Sequence, residues 1–137
     1  MDKTLLSALL AQVWLTFVIA LITLKARVNA AKQGKVRLTY FKHNQGDAPE
    51  TMLRLGDNLK NQFELPVLFY CVILLLILIE QNHPFYLLMA WIFIASRVTH
   101  AYIHIKTNHI KQRMISFLIG FIALILMWLG VSVELLT

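Results

Sequence analysis

Arg54, Asp57, Asn61 and Glu64 follow one another at intervals of three, four and three residues, the spacing that lines side chains along one face of a helix. They lead directly into an apolar run that begins at Phe63. Arg97, His100 and His104 repeat the spacing later in the chain, with Ser96 and Thr99 beside them, and Arg113 follows. A carboxylate, a guanidinium and imidazoles at the edge of an apolar medium can do three kinds of chemistry. They can clamp two helices together, Arg97 neutralising Glu64. They can ligate a metal through His100 and His104 at i, i+4, although Arg97 disfavours a cation there. Or they can recognise a small polar molecule and stabilise its charged form. The clamp accounts for Glu64 and Arg97 alone and leaves Asn61, His100, His104 and Arg113 as surplus. Ionisable groups in membrane segments are functional-site candidates by default.

The elements that must position these groups are membrane helices. The chain of 137 residues is 58% hydrophobic and 15% charged, whereas a soluble domain is about one quarter charged. Its apolar residues are bunched in four segments, Leu5 to Leu24, Phe63 to Ile79, Phe85 to Ile105 and Met114 to Leu136. Each approaches or exceeds the roughly 20 residues that cross a hydrocarbon core. The first is too long, and its basic residues too late, for a cleaved signal peptide. The sequence therefore predicts an all-α integral membrane four-helix bundle in up-down order. It is a single domain over 1–137 with helices at about 5–25, 58–80, 84–106 and 112–136, and no internal repeat or broken helix that would suggest a transporter.

Of the 13 Lys and Arg residues, eight lie from Lys25 to Lys60, four lie at Arg97, Lys106, Lys111 and Arg113, and only Lys3 is left over. By the positive-inside rule both basic connections are cytoplasmic, and the termini and the short Glu80–Pro84 hairpin face outward. The net charge of +6 is thus a topology signal. It does not read as nucleic-acid binding, because no aromatic residues interleave the cations. Gln12, Thr16 and Thr23 share one face of the first helix and are expected to pack against other helices. The lone Cys71 reads as a small buried hydrophobe. His43 and His109 fall in connections, where they are expected to be solvated, and Trp14, Trp91 and Trp128 lie well inside apolar segments.

The hairpin also sets a register. With its turn near Asn82, Glu64 lies level with His100 and Asn61 level with Ile103 and His104. Arg97 lies three residues from that level, a rise of about 4.5 Å. An acid, a guanidinium and an imidazole are expected to meet at one depth.

The run Arg54-x6-Asn61-x2-Glu64 entering an apolar helix, then Arg97-Val-Thr-His100 and Arg113, resembles the MAPEG family, the membrane-associated proteins in eicosanoid and glutathione metabolism. The resemblance covers nearly the whole chain. It implies a homotrimer that holds glutathione at subunit interfaces near the cytoplasmic boundary, with a lipophilic small molecule arriving from the membrane lipids. Carried over, Asn61 and Glu64 would bind the glutathione backbone, Glu64 facing its amino group. Arg97 would join the polar core, with His100 as its support. Arg113 would lie near the sulfur as the catalytic cation, and Lys25 or Arg27 would stand for another family arginine. Arg54 and Lys60 complete the expected binding set. The implied activity is conjugation of glutathione to a lipophilic electrophile or reduction of a lipid hydroperoxide; the alternative is a non-catalytic, lipid-presenting scaffold. Asp57 and Leu59 stand where many family enzymes have Arg and His, Lys60 stands where Arg is common, and Phe117 replaces a Tyr.

Overall fold

A computed structural model describes residues 3–137; Met1 and Asp2 lie outside it, as does the side chain of Lys3, the lone cation assigned to the outer side. The described residues form five α-helices and one 3₁₀ turn, with no strand among them. They are α1 (Lys3–Lys32), α2 (Glu50–Asn61), α3 (Leu65–Leu78), α4 (Pro84–Lys106) and α5 (Ile110–Leu136), with the 3₁₀ turn at Leu38–Lys42. Four stretches are long and apolar enough to cross a membrane, α2 and α3 together making one of them. The chain is therefore the up-down four-helix membrane bundle that its apolar segments predict.

α1 is longer than its apolar run because nothing stops it. Ala26 to Lys32 contains no glycine or proline, and the helix ends only where Gly34 takes the left-handed conformation at φ +67°. There the N–H groups of Gly34 and Lys35 turn back onto the carbonyls of Ala31 and Ala30, a glycine-capped helix end. At about 1.5 Å per residue, its 30 residues exceed a hydrocarbon core of about 30 Å. The surplus carries a small satellite core of Ala30, Val36, Tyr40 and Met52, which pins the connection and the start of α2.

The second span is broken where one continuous helix was expected. Pro66 has no N–H to give, its ring would press on the carbonyl of Gln62 in a continuous helix, and it disfavours helical geometry at the residue before it. α2 accordingly stops at Asn61, Gln62 and Phe63 turn tightly onto Leu59 and Lys60, and Glu64 has φ −100° and ψ −105° before α3 starts.

The main core lies between α3, α4 and α5 with the start of α1. Phe69 and Phe93 stack at 4.4 Å between centroids, above Leu76, Ala90, Leu124 and Met127. The periphery is apolar too, with Trp14, Leu21, Leu78 and Leu129 exposed, as helices facing lipid must be. Cys71 belongs to that exposed surface and not to the core. Trp14 and Trp91 face outward and Trp128 is half-buried. The α1 stripe packs inward: Gln12 and Thr23 are buried, Gln12 donates to Gln62 at 3.0 Å, and Thr23 donates to Leu55 O at 3.1 Å.

Candidate functional site

Asn61, the last residue of α2, lies beside the break, so its side chain reaches α4 while its carbonyl is no longer needed by a following turn. Its Nδ2 is 3.4 Å from His100 Nε2, and its carbonyl accepts from Arg97 Nη2 at 3.1 Å. One turn earlier, Asn58 Nδ2 donates to Ala101 O at 3.2 Å. The register is therefore about one turn off the hairpin expectation, which set Asn61 level with His104. The break explains the difference, because the depth estimate assumed an unbroken helical rise from Asn61 to the hairpin.

The partners of His100 assign its tautomer. Nδ1 lies 3.1 Å from the backbone oxygen of Arg113, which can only accept, so Nδ1 carries the hydrogen. Nε2 is then the acceptor, matched to the Asn61 amide N–H. Ser116 Oγ donates to the same carbonyl at 2.9 Å. A hydrogen-bonded path thus runs from Asn61 through His100 to the first turn of α5.

That turn carries Arg113, half-buried, whose Nη1 donates to Asn108 Oδ1 at 2.6 Å. Asn61, His100 and Arg113 share a cleft of about 500 Å³ with Ile110, Met114 and Phe117. One wall is amide, imidazole and guanidinium; the other is apolar and continues onto exposed Ile110 and Met114. Such a cleft can stabilise an anion presented beside an apolar surface, because the guanidinium cannot deprotonate and has no acidic partner. Among the described residues the ion pairs are Arg54 with Glu50 and Lys60 with Asp57.

The other expected site residues stand apart from this cleft. Glu64 and Arg97 form no ion pair, although the carboxylate acts electrostatically on the guanidinium: Glu64 is exposed at the break, and Arg97 is 1% exposed in the interior with Nε and Nη1 unpartnered. Ending α2 at Asn61 takes Glu64 off the face it would share with Arg54, Asp57 and Asn61. Arg54 pairs with Glu50 along α2. Arg27 packs over Gly56, where a Cβ would come 3.5 Å from its Nη2, and shares a small pocket with Tyr40, Asp57 and Lys60. His100 and His104 have ring centroids 6.0 Å apart, and no third His, Cys, Asp or Glu joins them as a metal set among the described residues. His43 and His109 are exposed.

Sequence reasoning passed over Asn58, Gln62, Asn108 and Ser116. Gln62 is fully buried, takes the Gln12 hydrogen bond and sits 3.4 Å from both oxygens of Asn58. The available signals were Ser116 within an otherwise apolar run, and an Asn five residues before the key arginine, a residue type suited to a left-handed turn.

A sequence model of the MAPEG family matches residues 5–133. Comparisons with curated proteins and with solved structures returned no match.

Proposed function

The chain belongs to the MAPEG family, and on that premise we propose that it is a glutathione-dependent transferase or peroxidase acting on lipophilic electrophiles or lipid hydroperoxides. The observation that carries this reading is Arg113. It is anchored on the wall of a cleft by a neutral partner, free of any ion pair among the described residues, and adjoins apolar surface that opens outward. The cleft's donors and volume suit a small polar thiol: Asn61 supplies amide groups, His100 supports it, and Arg113 supplies the field.

In this mechanism Arg113 holds its charge beside the glutathione sulfur and lowers the thiol pKa from its ordinary value near 8.5, the released proton passing to water. The electrophile occupies the Ile110, Met114 and Phe117 side. The thiolate forms a C–S bond to its electrophilic carbon as the leaving group departs with the bonding electrons. With a hydroperoxide, the thiolate takes the terminal oxygen as the O–O bond breaks and the alcohol leaves; a second glutathione then yields the disulfide and water.

Glu64, Arg54, Lys60 and Arg27 lie on surfaces outside this cleft. We propose that they reach the ligand across subunit boundaries of a homotrimer, Glu64 facing the amino group. Arg97 acts by fixing the Asn61 carbonyl. The charge distribution supports placing both basic connections on the cytoplasmic side, where glutathione is soluble, and the termini on the other.

The test is turnover of several lipophilic electrophiles and a lipid hydroperoxide in detergent, with glutathione-dependent melting as a binding assay. Arg113→Glu is expected to lower turnover by about a hundredfold or more, the scale of a lost charge-stabilising donor, and to keep the fold. No turnover with any substrate, together with no glutathione-dependent melting shift, defeats the reading. Lipid binding that survives Arg113→Glu in a protein without turnover would favour the scaffold.

A further inference from the structure

Asn108 lies between α4 and α5, two residues after Lys106 and two before Ile110. Its backbone is left-handed at φ +52°, and its N–H reaches back to Ile103 O at 2.7 Å, alongside Thr107 N–H to the same oxygen at 3.1 Å. These contacts fix the turn. They also fix where its side chain points: Oδ1 accepts from Arg113 Nη1 at 2.6 Å, and both residues are half-buried.

The chemical type of the anchor matters more than its presence. Arg54 on α2 is paired with a carboxylate, Glu50, and Lys60 with Asp57; each of these cations has an acidic partner. Arg113 is held by an amide oxygen, which orients a guanidinium and leaves its full charge available. The titratable groups that face Arg113 are His100 and His104 of α4, while Asp57 and Arg54 of α2 act on His104. Lys106, His109 and Lys111 of the connection are exposed. No carboxylate stands within ion-pair distance of Arg113 among the described residues.

We infer that Asn108 is a positioning residue for Arg113, aiming its guanidinium into the cleft without cancelling its charge, so that the charge acts on the bound thiol. This rests on the glutathione reading above. Left-handed geometry alone does not account for the residue, since Gly and Asp take that conformation as readily as Asn. Those two residues also separate the roles. Asn108→Asp keeps the turn and the acceptor and adds a charge; Asn108→Gly keeps the turn and removes the acceptor.

The experiment uses the full-length protein in detergent with glutathione. Three readouts are the melting temperature, the glutathione dissociation constant, and the pH midpoint at which bound glutathione shows thiolate absorbance. If Asn108 merely ties the turn together, Asn108→Asp should match or exceed wild type in all three. The expected result is a normal melting temperature with a midpoint raised by about 1 to 3 pH units, the effect of one neighbouring charge, and turnover at neutral pH at least about tenfold lower. Asn108→Gly should raise the midpoint less, and it carries the test if the Asp variant does not fold. A wild-type midpoint in either Asn108→Gly or Asn108→Asp overturns the inference alone. A wild-type protein that binds no glutathione overturns the functional reading and this inference with it.

Discussion

His100 Nδ1 lies 3.1 Å from the backbone oxygen of Arg113, and the same ring turns Nε2 to within 3.4 Å of the Asn61 amide. One neutral imidazole therefore ties the end of α2 and the first turn of α5 to α4. Only this tautomer satisfies both contacts, because a carbonyl cannot donate.

Substitutions at His100 can separate the two contacts. Asn places its amide nitrogen near the Nδ1 position and so keeps a donor for the Arg113 carbonyl; Ala keeps neither contact. Interhelical hydrogen bonds in membrane proteins average about 0.6 kcal/mol and reach about 1.7, and Ala also leaves a cavity. His100→Asn is therefore expected to melt measurably above His100→Ala in detergent. Equal melting temperatures would show that the bond to Arg113 does not hold the helices together.

Glu64 tests whether a direct clamp to Arg97 holds the helices. Had it formed a buried clamp with Arg97, removing its charge would cost about 3–5 kcal/mol. Exposed at the break and without an ion pair, it should tolerate Glu64→Gln to within about 0.5 kcal/mol, read as a nearly unchanged unfolding midpoint without glutathione. A large loss of stability would mean that the pair forms after all.

The contrast between these residues shows what the sequence made legible. Four spans follow from apolar run length alone, since the bilayer sets the period. Residue type and helical spacing point to Asn61 and His100, and the family resemblance points to Arg113; the fold brings all three to one cleft. Glu64 acts on Arg97 electrostatically but makes no ion pair with it; spacing arguments assume an unbroken helix. Pro66 stands at the start of α3, and the break before it costs the register about one turn. Asn108 escaped because a left-handed turn residue has no periodicity to betray it.

The buried amides at the break give a further prediction. Gln12 Nε2 donates to Gln62 Oε1 at 3.0 Å, and both residues are at most 1% exposed. Replacing either by Leu leaves the other's facing amide atom buried and unmet, which costs about 1–3 kcal/mol, whereas replacing both removes that pair together; the Gln62 contact to Asn58 is lost equally in the Gln62 single and the double variant. The double variant Gln12→Leu/Gln62→Leu should thus lose less stability than the two single variants summed. Strict additivity of the three melting-derived values would show that the amides do not act as a pair.

At the opposite end of the bundle, Tyr86 Oη donates to Glu134 Oε1 at 2.8 Å, while Gln81 Nε2 donates to Oε2 at 2.7 Å. Glu134 on α5 thereby fastens the α3–α4 hairpin. The arrangement depends on Gly130, one turn earlier on α5: a Cβ there would come within 2.6 Å of Tyr86 Oη and 3.1 Å of its ring. Tyr86 is 3% exposed and has little room to withdraw, so Gly130→Ala should destabilise by about 1–3 kcal/mol, the range for overpacking. The added methyl must push the phenol off Glu134, and this gives a sharper expectation than the loss itself. Tyr86→Phe should weaken the wild-type protein but add little to Gly130→Ala, because the bond it removes is already broken. If Tyr86→Phe costs as much in the Gly130→Ala background as in wild type, the ring has kept its bond and the helices have moved apart instead.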